Sequence, residues 1–155
     1  MQTAQTIVRA GYGIVYGGGS VGLMGIVADT ALECGGEVIG VIPRALATAE
    51  IAHPNLAQLH IVETMHERKS LMNDLCDAFI ALPGGFGTMD ELCEALTWRQ
   101  LGIHDKPIGL LNYRGYYDAL LQLFDGMVTH GFLTPPNRAL FVAADEIDDL
   151  LKQLF

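Results

Sequence analysis

Leu82-Pro83-Gly84-Gly85-Phe86-Gly87-Thr88-Met89-Asp90-Glu91 concentrates the chemistry available to this chain. It follows a short apolar run, Asp77 to Leu82, and opens an amphipathic segment reaching about Leu101, so strand, turn and helix start fall close together. Three glycines strip side chains from the turn, and backbone N–H groups can then approach an anion closely. The helix start adds the positive end of a dipole, which makes phosphate the natural guest. Glu91 sits on the first helical turn, facing the same space. Thr88 and Glu91 also have the T-x-x-E spacing of a capping box, in which the threonine caps the helix and the acid reaches back. On those two residues alone, capping is the favoured reading.

A second glycine cluster follows the short buried strand Ile14-Val15-Tyr16. Gly17, Gly19 and Gly22 satisfy G-x-G-x-x-G between a strand and a helix, the setting that motif requires. A dinucleotide site also wants an acid at the end of the next strand to hold a ribose hydroxyl. That strand, Glu37 to Ile42, ends in Pro43-Arg44 instead, which disfavours NAD and leaves a single phosphate or ribose phosphate. A tight turn with no ligand is the alternative. Further on, Thr64 caps a helix that carries Arg68 and Lys69. Being adjacent, they do not share one narrow helix face, and exposed cations on a solvated surface are an equal reading. Functionally, arginine offers a planar fork for phosphate or ribose oxygens, and the lysine adds charge. Glu63, just before this helix, is a candidate for the ribose hydroxyls.

Taken together, Pro83-Gly84-Gly85-Phe86-Gly87-Thr88-Met89-Asp90-Glu91, Thr97-Trp98-Arg99-Gln100-Leu101-Gly102 and Met65-His66-Glu67-Arg68-Lys69 resemble the PGGxGTxxE…TWxQLG and MHxRK signatures of the LOG ("Lonely guy") family. Older descriptions often label its members lysine decarboxylases. The resemblance implies release of a nucleobase from a nucleoside 5′-monophosphate, cytokinin riboside monophosphates being the named substrates. It implies Glu91 and Arg68 as the catalytic pair. Substrate and phosphate contacts are expected from Gly18, Gly19, Glu63, Lys69, Gly84, Gly85, Gly87 and Thr88. It also implies that the helix bearing Trp98 belongs to a homodimer interface, and that the family's first strand, with its Gly-Ser-Ser turn, is absent from this chain; the match runs from about Val8 to Leu150.

The residues permit that chemistry. Cleaving an N-glycosidic bond passes through a ribose with oxocarbenium character, which a nearby carboxylate stabilises while activating water. Glu91 is the candidate, and the arrangement needs no metal and no cofactor. The rival from another class is a non-catalytic nucleotide carrier or a carrier of molybdenum cofactor, which needs the glycines but not the pairing of Glu91 with Arg68-Lys69. Lysine decarboxylation is the weakest reading, because it normally needs a pyridoxal Schiff-base lysine. Lys69, Lys106 and Lys152 are the only lysines, and none has a convincing cofactor setting.

The elements that position these residues alternate along the chain. Strands over 38–42, 58–62, 78–82, 107–111 and 139–142 are interleaved with helices over 22–33, 64–72, 88–101, 115–130 and 145–154, following a helix tail over 1–10. Short apolar strands alternating with amphipathic helices specify α/β architecture, a Rossmann-like doubly wound parallel sheet covered on both faces, in a single domain over 1–155. Arg44 to Asn55 reads as a surface loop, and the base pocket is expected there and at the partner subunit. Leu92, Ala95, Leu96, Trp98 and Leu101 read as core or subunit contact. Tyr113, Arg114, Tyr116 and Tyr117 read as an ordinary polar turn.

At 155 residues the chain suits one domain, and a net charge of −9 with nine basic residues argues against nucleic acid and anionic membrane as partners. Cys34, Cys76 and Cys93 have no paired spacing and read as reduced core thiols. The histidines are scattered, so a metal site is not expected. There is no leader-like start and no run of about 18 apolar residues, which points to the cytoplasm.

Overall fold

Two clusters of buried side chains organise the chain. A computed structural model describes residues 1–47 and 52–155, which divide into two units, Met1–Cys76 and Asp77–Phe155. In the first unit, helix α1 (Gln2–Arg9) packs on helix α2 (Gly22–Glu33) through residues too small to hold the helices apart. Ala4, Ala28 and Ala31 are fully buried and share a core with Tyr16 and Val38. Strands β1 (Ile14–Tyr16), β2 (Val38–Pro43) and β3 (Gln58–Val62) form a parallel sheet in the order β1-β2-β3, with Ile14 opposite Val38 and Ile39 opposite Gln58. α2 ends as a glycine stop should, with Gly35 at φ +75. Helix α3 (Met65–Leu75) follows β3, and here a capping arrangement does form: Glu67 N–H donates to Thr64 Oγ1 at 3.1 Å, while Glu67 Oε2 accepts from Glu63 N–H at 2.9 Å.

The second unit repeats the logic. Strands β4 (Phe79–Ala81), β5 (Ile108–Leu111) and β6 (Phe141–Ala144) are parallel, in the order β4-β5-β6. Alternation along β5 covers both faces. Ile108 and Leu110 pack with Leu92 and Ala95 of helix α4 (Phe86–Gln100) and with Tyr117, Phe124 and Phe141. On the other face, a Cβ built on Gly109 would lie 3.0 Å from Leu150 and Leu154, so glycine here lets helix α7 (Ile147–Leu154) sit close. α7 buries Ile147, Leu150, Leu151 and Leu154, one stripe at helical spacing. Helix α5 (Asp118–Thr129) and the short helix α6 (Pro135–Arg138) complete this unit.

The α/β class and parallel pairing follow the sequence reading, and several boundaries do not. α4 begins at Phe86, not Thr88, and α5 begins at Asp118, not 115. β6 starts at Phe141 because Thr134-Pro135-Pro136 caps and opens α6, pushing the strand downstream. The cysteines are not core thiols as expected: Cys34 and Cys93 are exposed and Cys76 is partly buried. Partial desolvation of the sulfur and the neighbouring Asp90 push the Cys93 thiol up even on this exposed residue, so it is a poor nucleophile. Leu92 and Ala95 are core, but Leu101 is 66% exposed. Of the loop expected over 44–55, Arg44–Leu46 form a short 3₁₀ turn, and 48–51 lie outside the described residues. Among the described residues no helix is long and apolar enough to cross a membrane.

Candidate functional site

In the second unit, β4 feeds through Leu82-Pro83-Gly84-Gly85 into α4. The N-cap is Gly85, in extended conformation at φ −91 and ψ −150, and no side chain caps the helix. Thr88 therefore lies inside the first turn and Glu91 in the second, which corrects the expected capping box. The T-x-x-E spacing is real, but the chain enters the helix three residues before Thr88 would cap it. Glu91 is partly buried, on the second turn of a helix whose N-cap is Gly85.

The three glycines of this turn differ in what they are for. A Cβ on Gly84 would collide with the Thr88 hydroxyl, so that glycine answers to packing inside the turn. Around Gly85 and Gly87 there is nothing within 4 Å of where a Cβ would stand, and neither has a positive φ. No neighbour and no backbone conformation demands glycine at these positions. What their missing side chains leave is open space over a helix N-terminus, where the first backbone N–H groups lack intrahelical partners.

The turn after β5 touches this one directly, contrary to its reading as an ordinary polar turn. Tyr116 Oη donates to Gly84 O at 2.6 Å, and Tyr117 Oη donates to Leu82 O at 2.5 Å. The usable signal was topological: β4 and β5 are parallel neighbours, with Ala81 opposite Leu110, so the turns leaving them lie side by side. Buried Asn112 braces the second turn. Its Oδ1 accepts from Tyr117 N–H at 2.6 Å, its Nδ2 donates to Asp118 Oδ1 at 2.8 Å, and its backbone N–H donates to Ala144 O at 2.8 Å. Burial, with Tyr116 nearby, pushes the Tyr117 hydroxyl up to about 12, so it remains a donor at ordinary pH.

In the first unit, the glycines between β1 and α2 are mostly explained by contacts. A Cβ on Gly17 would strike the Arg68 guanidinium, and one on Gly25 the Ser20 carbonyl. Gly18 is buried at φ +71, and a Cβ there would come within 3.3 Å of Val41 N, Ile42 and Leu59 alike. Gly19 is buried as well, and bridges to Ala52. The adjoining segment is tied down by His53, whose N–H donates to Gly18 O at 2.9 Å and whose buried ring meets Asp29 Oδ1 at 3.1 Å.

Arg68 is not a solvated surface cation. It is partly buried, folded back from α3, and its Nε donates to Val41 O at 3.2 Å while its tip rests against Gly17. Lys69, next along α3, is also partly buried. Glu63 is exposed and paired with Arg44, which reaches Oε1 through Nε at 2.9 Å and Nη2 at 2.8 Å. That hydrogen bond and charge hold the Glu63 carboxyl below the usual carboxylate range. The structure thus groups Gly84, Gly85, Gly87, Thr88 and Glu91 on one turn and helix, and Arg68 with the first glycine turn.

Parallel α/β units whose strand ends run through glycine turns into helices define a class of nucleotide- and phosphate-binding proteins. Within that class, a family model described as "possible lysine decarboxylase" matches residues 24–154. The chain belongs to this family, the LOG family its motifs resemble. It is similar to a probable cytokinin riboside 5′-monophosphate phosphoribohydrolase of Oryza sativa subsp. japonica, 53% identical over 99% of this chain and 69% of that protein. A cytokinin riboside 5′-monophosphate phosphoribohydrolase of Arabidopsis thaliana is 49% identical over 97% of this chain and 66% of its own length. The chain thus spans about two thirds of these relatives. Among solved structures, the molybdenum cofactor carrier protein of Chlamydomonas reinhardtii matches with TM-score 0.71 at 22% identity, covering 99% of this chain and 83% of that one. The molybdenum cofactor binding protein of Rippkaea orientalis matches with TM-score 0.70 at 20% identity, covering 98% and 81%. At such identities the likeness speaks to the fold.

Proposed function

We propose that residues 1–155 act as a single nucleotide-binding domain that hydrolyses the N-glycosidic bond of a nucleoside 5′-monophosphate, a cytokinin riboside 5′-monophosphate or AMP, to free base and ribose 5-phosphate. The observation that carries this reading is the open space at Gly85 and Gly87 over the α4 N-terminus, one turn before the Glu91 carboxylate. Relatives about half identical to this chain and named for that activity support it. In this reading Gly84, Gly85, Gly87 and Thr88 hold the 5′-phosphate, and Glu91 faces the developing charge on the ribose. Arg68 and Lys69 supply positive charge to the phosphate or ribose, Gly18 and Gly19 contribute backbone, and Glu63 meets ribose hydroxyls through the oxygen Arg44 leaves. A decarboxylase would need a lysine presented to pyridoxal; Lys152 instead projects from the exposed face of α7, bonded to Asp149 at 2.9 Å. The carrier reading has fold likeness alone behind it.

We also take the protein to be cytoplasmic and to form a homodimer; Leu101 and Ile103, exposed at 66% and 60% just past α4, support the dimer. The deciding experiment incubates purified chain with AMP and with isopentenyladenosine monophosphate. Base and ribose 5-phosphate released in equal amounts are expected; nucleotide binding by calorimetry without release would overturn the hydrolase in favour of a carrier.

Two alanine substitutions separate packing from binding in the turn. Gly84→Ala is expected to lower the melting temperature by several degrees, since forcing Thr88 aside costs roughly 1–3 kcal/mol. Gly85→Ala should leave the melting temperature nearly unchanged and weaken ribose 5-phosphate, measured by calorimetry, about tenfold or more. Equal affinity in Gly85→Ala and wild type would remove the phosphate from this turn.

A further inference from the structure

The glycine turn that would hold phosphate is the least constrained backbone type there is, yet a binding site needs its N–H groups aimed in advance. We propose that Tyr116 and Tyr117 are positioning residues that set this aim by holding the turn's carbonyls from behind. The inference rests on the phosphate role proposed above for the turn.

The geometry is specific about which peptide is fixed. In a trans peptide the C=O and the following N–H point in opposite directions. Tyr116 Oη draws the Gly84 carbonyl toward itself at 2.6 Å, so the Gly85 N–H must point away from Tyr116. Gly85 is the N-cap of α4, and space around it and Gly87 is open, so that N–H joins those of the first helical turn. Tyr117 acts one step earlier. The Leu82 carbonyl precedes Pro83, whose nitrogen has no hydrogen to anchor that peptide. Tyr117 Oη supplies the anchor at 2.5 Å, from a ring that is 1% exposed. Two pins, at 82 and 84, bracket the Pro83-Gly84 linkage.

The bracing turn carries a mark of its own. Arg114 has φ +55, the one described non-glycine residue in the left-handed region, and Gly115 follows at +72. Such backbone is costly for a residue with a Cβ and persists where surroundings impose it. Here Asn112 imposes it, gripping Tyr117 N–H and Asp118 from one side chain. The consequence is that consecutive tyrosines, rings 5.1 Å apart and nearly perpendicular at 83°, both deliver hydroxyls to the neighbouring turn. A loop needed only to join β5 to α5 has no reason to hold a strained residue for that purpose.

The test compares wild type with Tyr116→Phe, which deletes one hydroxyl from a half-exposed ring. Ribose 5-phosphate affinity, measured by calorimetry, is expected to fall about tenfold, the scale of one hydrogen bond lost from a preorganised site. In base release the ratio of kcat/KM for AMP to that for adenosine should fall by the same factor, with KM carrying the change. Tyr117→Phe should show the same loss of affinity together with a lower melting temperature. Unchanged ribose 5-phosphate affinity in Tyr116→Phe overturns the proposal, as does an equal loss for AMP and adenosine, which would mark a general structural role. Wild type that binds ribose 5-phosphate but releases no base refutes the hydrolase while the binding comparison still decides the clamp. Wild type that binds no ribose 5-phosphate refutes both.

Discussion

Glu91→Gln is expected to lower kcat for base release by about a thousandfold, the scale on which a single preorganised charge acts on a transition state. Glutamine keeps the size of the side chain, removes its negative charge and replaces one acceptor oxygen with an NH2 donor, so it can neither stabilise the cation by charge nor take a proton from water. As the glycosidic bond breaks, positive charge grows on C1′ and the ring oxygen, and it is absent from the bound nucleotide. The lost stabilisation should therefore appear in kcat, with KM changed little. Stability gives the complementary reading. Because the N-cap of α4 is Gly85 and Glu91 lies in its second turn, the substitution leaves the N-cap residue in place, and the melting temperature should fall by no more than about 4 °C. Steady-state kinetics on AMP with a thermal melt on the same protein settle the matter. A variant with wild-type kcat, or one impaired only through KM, would take the carboxylate out of the chemical step.

Spacing alone conceals where α4 begins. Thr64-x-x-Glu67 and Thr88-x-x-Glu91 carry the same pattern, and only the first forms a threonine cap. What distinguishes them is the chain before the threonine. At 64 a strand runs straight into the cap, whereas at 88 Pro83-Gly84-Gly85 turns the chain early, and the helix is already under way. The strand and helix alternation was legible because period and glycine stops are local, so α2 came out at 22–33 as expected. Boundaries set by side-chain networks were not. Asn112 holds back the start of α5, and Thr134 with two prolines inserts α6 before β6. The same limit hid Tyr116 and Tyr117. Nothing within their own turn signals a function; their role depends on β5 lying beside β4, which periodicity does not reveal. The glycines were the reverse case. Composition marked both clusters alike, and only three dimensions separate those that make room for a neighbour, Gly17 and Gly84, from those that face open space, Gly85 and Gly87.

That separation yields the second large effect. Gly17→Ala is expected to reduce kcat/KM by roughly tenfold to a hundredfold while leaving the fold intact, by acting through Arg68. A methyl at position 17 would occupy the place of the guanidinium tip. The tip is the far end of a flexible side chain, so the collision is relieved by moving it and costs little stability. Moving it is the damage. Arg68 Nε is held on Val41 O at 3.2 Å, and a guanidinium pushed off Gly17 rotates away from the orientation that contact defines. Gly25→Ala is the contrasting control. Its methyl would meet the Ser20 backbone carbonyl, which has no rotamer to escape into, so the loss should appear as a lower melting temperature. If Gly17 matters because of Arg68, the two positions form one unit, and Gly17→Ala added to Arg68→Ala should cost nothing further. Independent, additive losses would mean that Gly17 serves the substrate itself. Full activity in Gly17→Ala would mean that the packed position of Arg68 is structural, leaving its catalytic role without support from this arrangement.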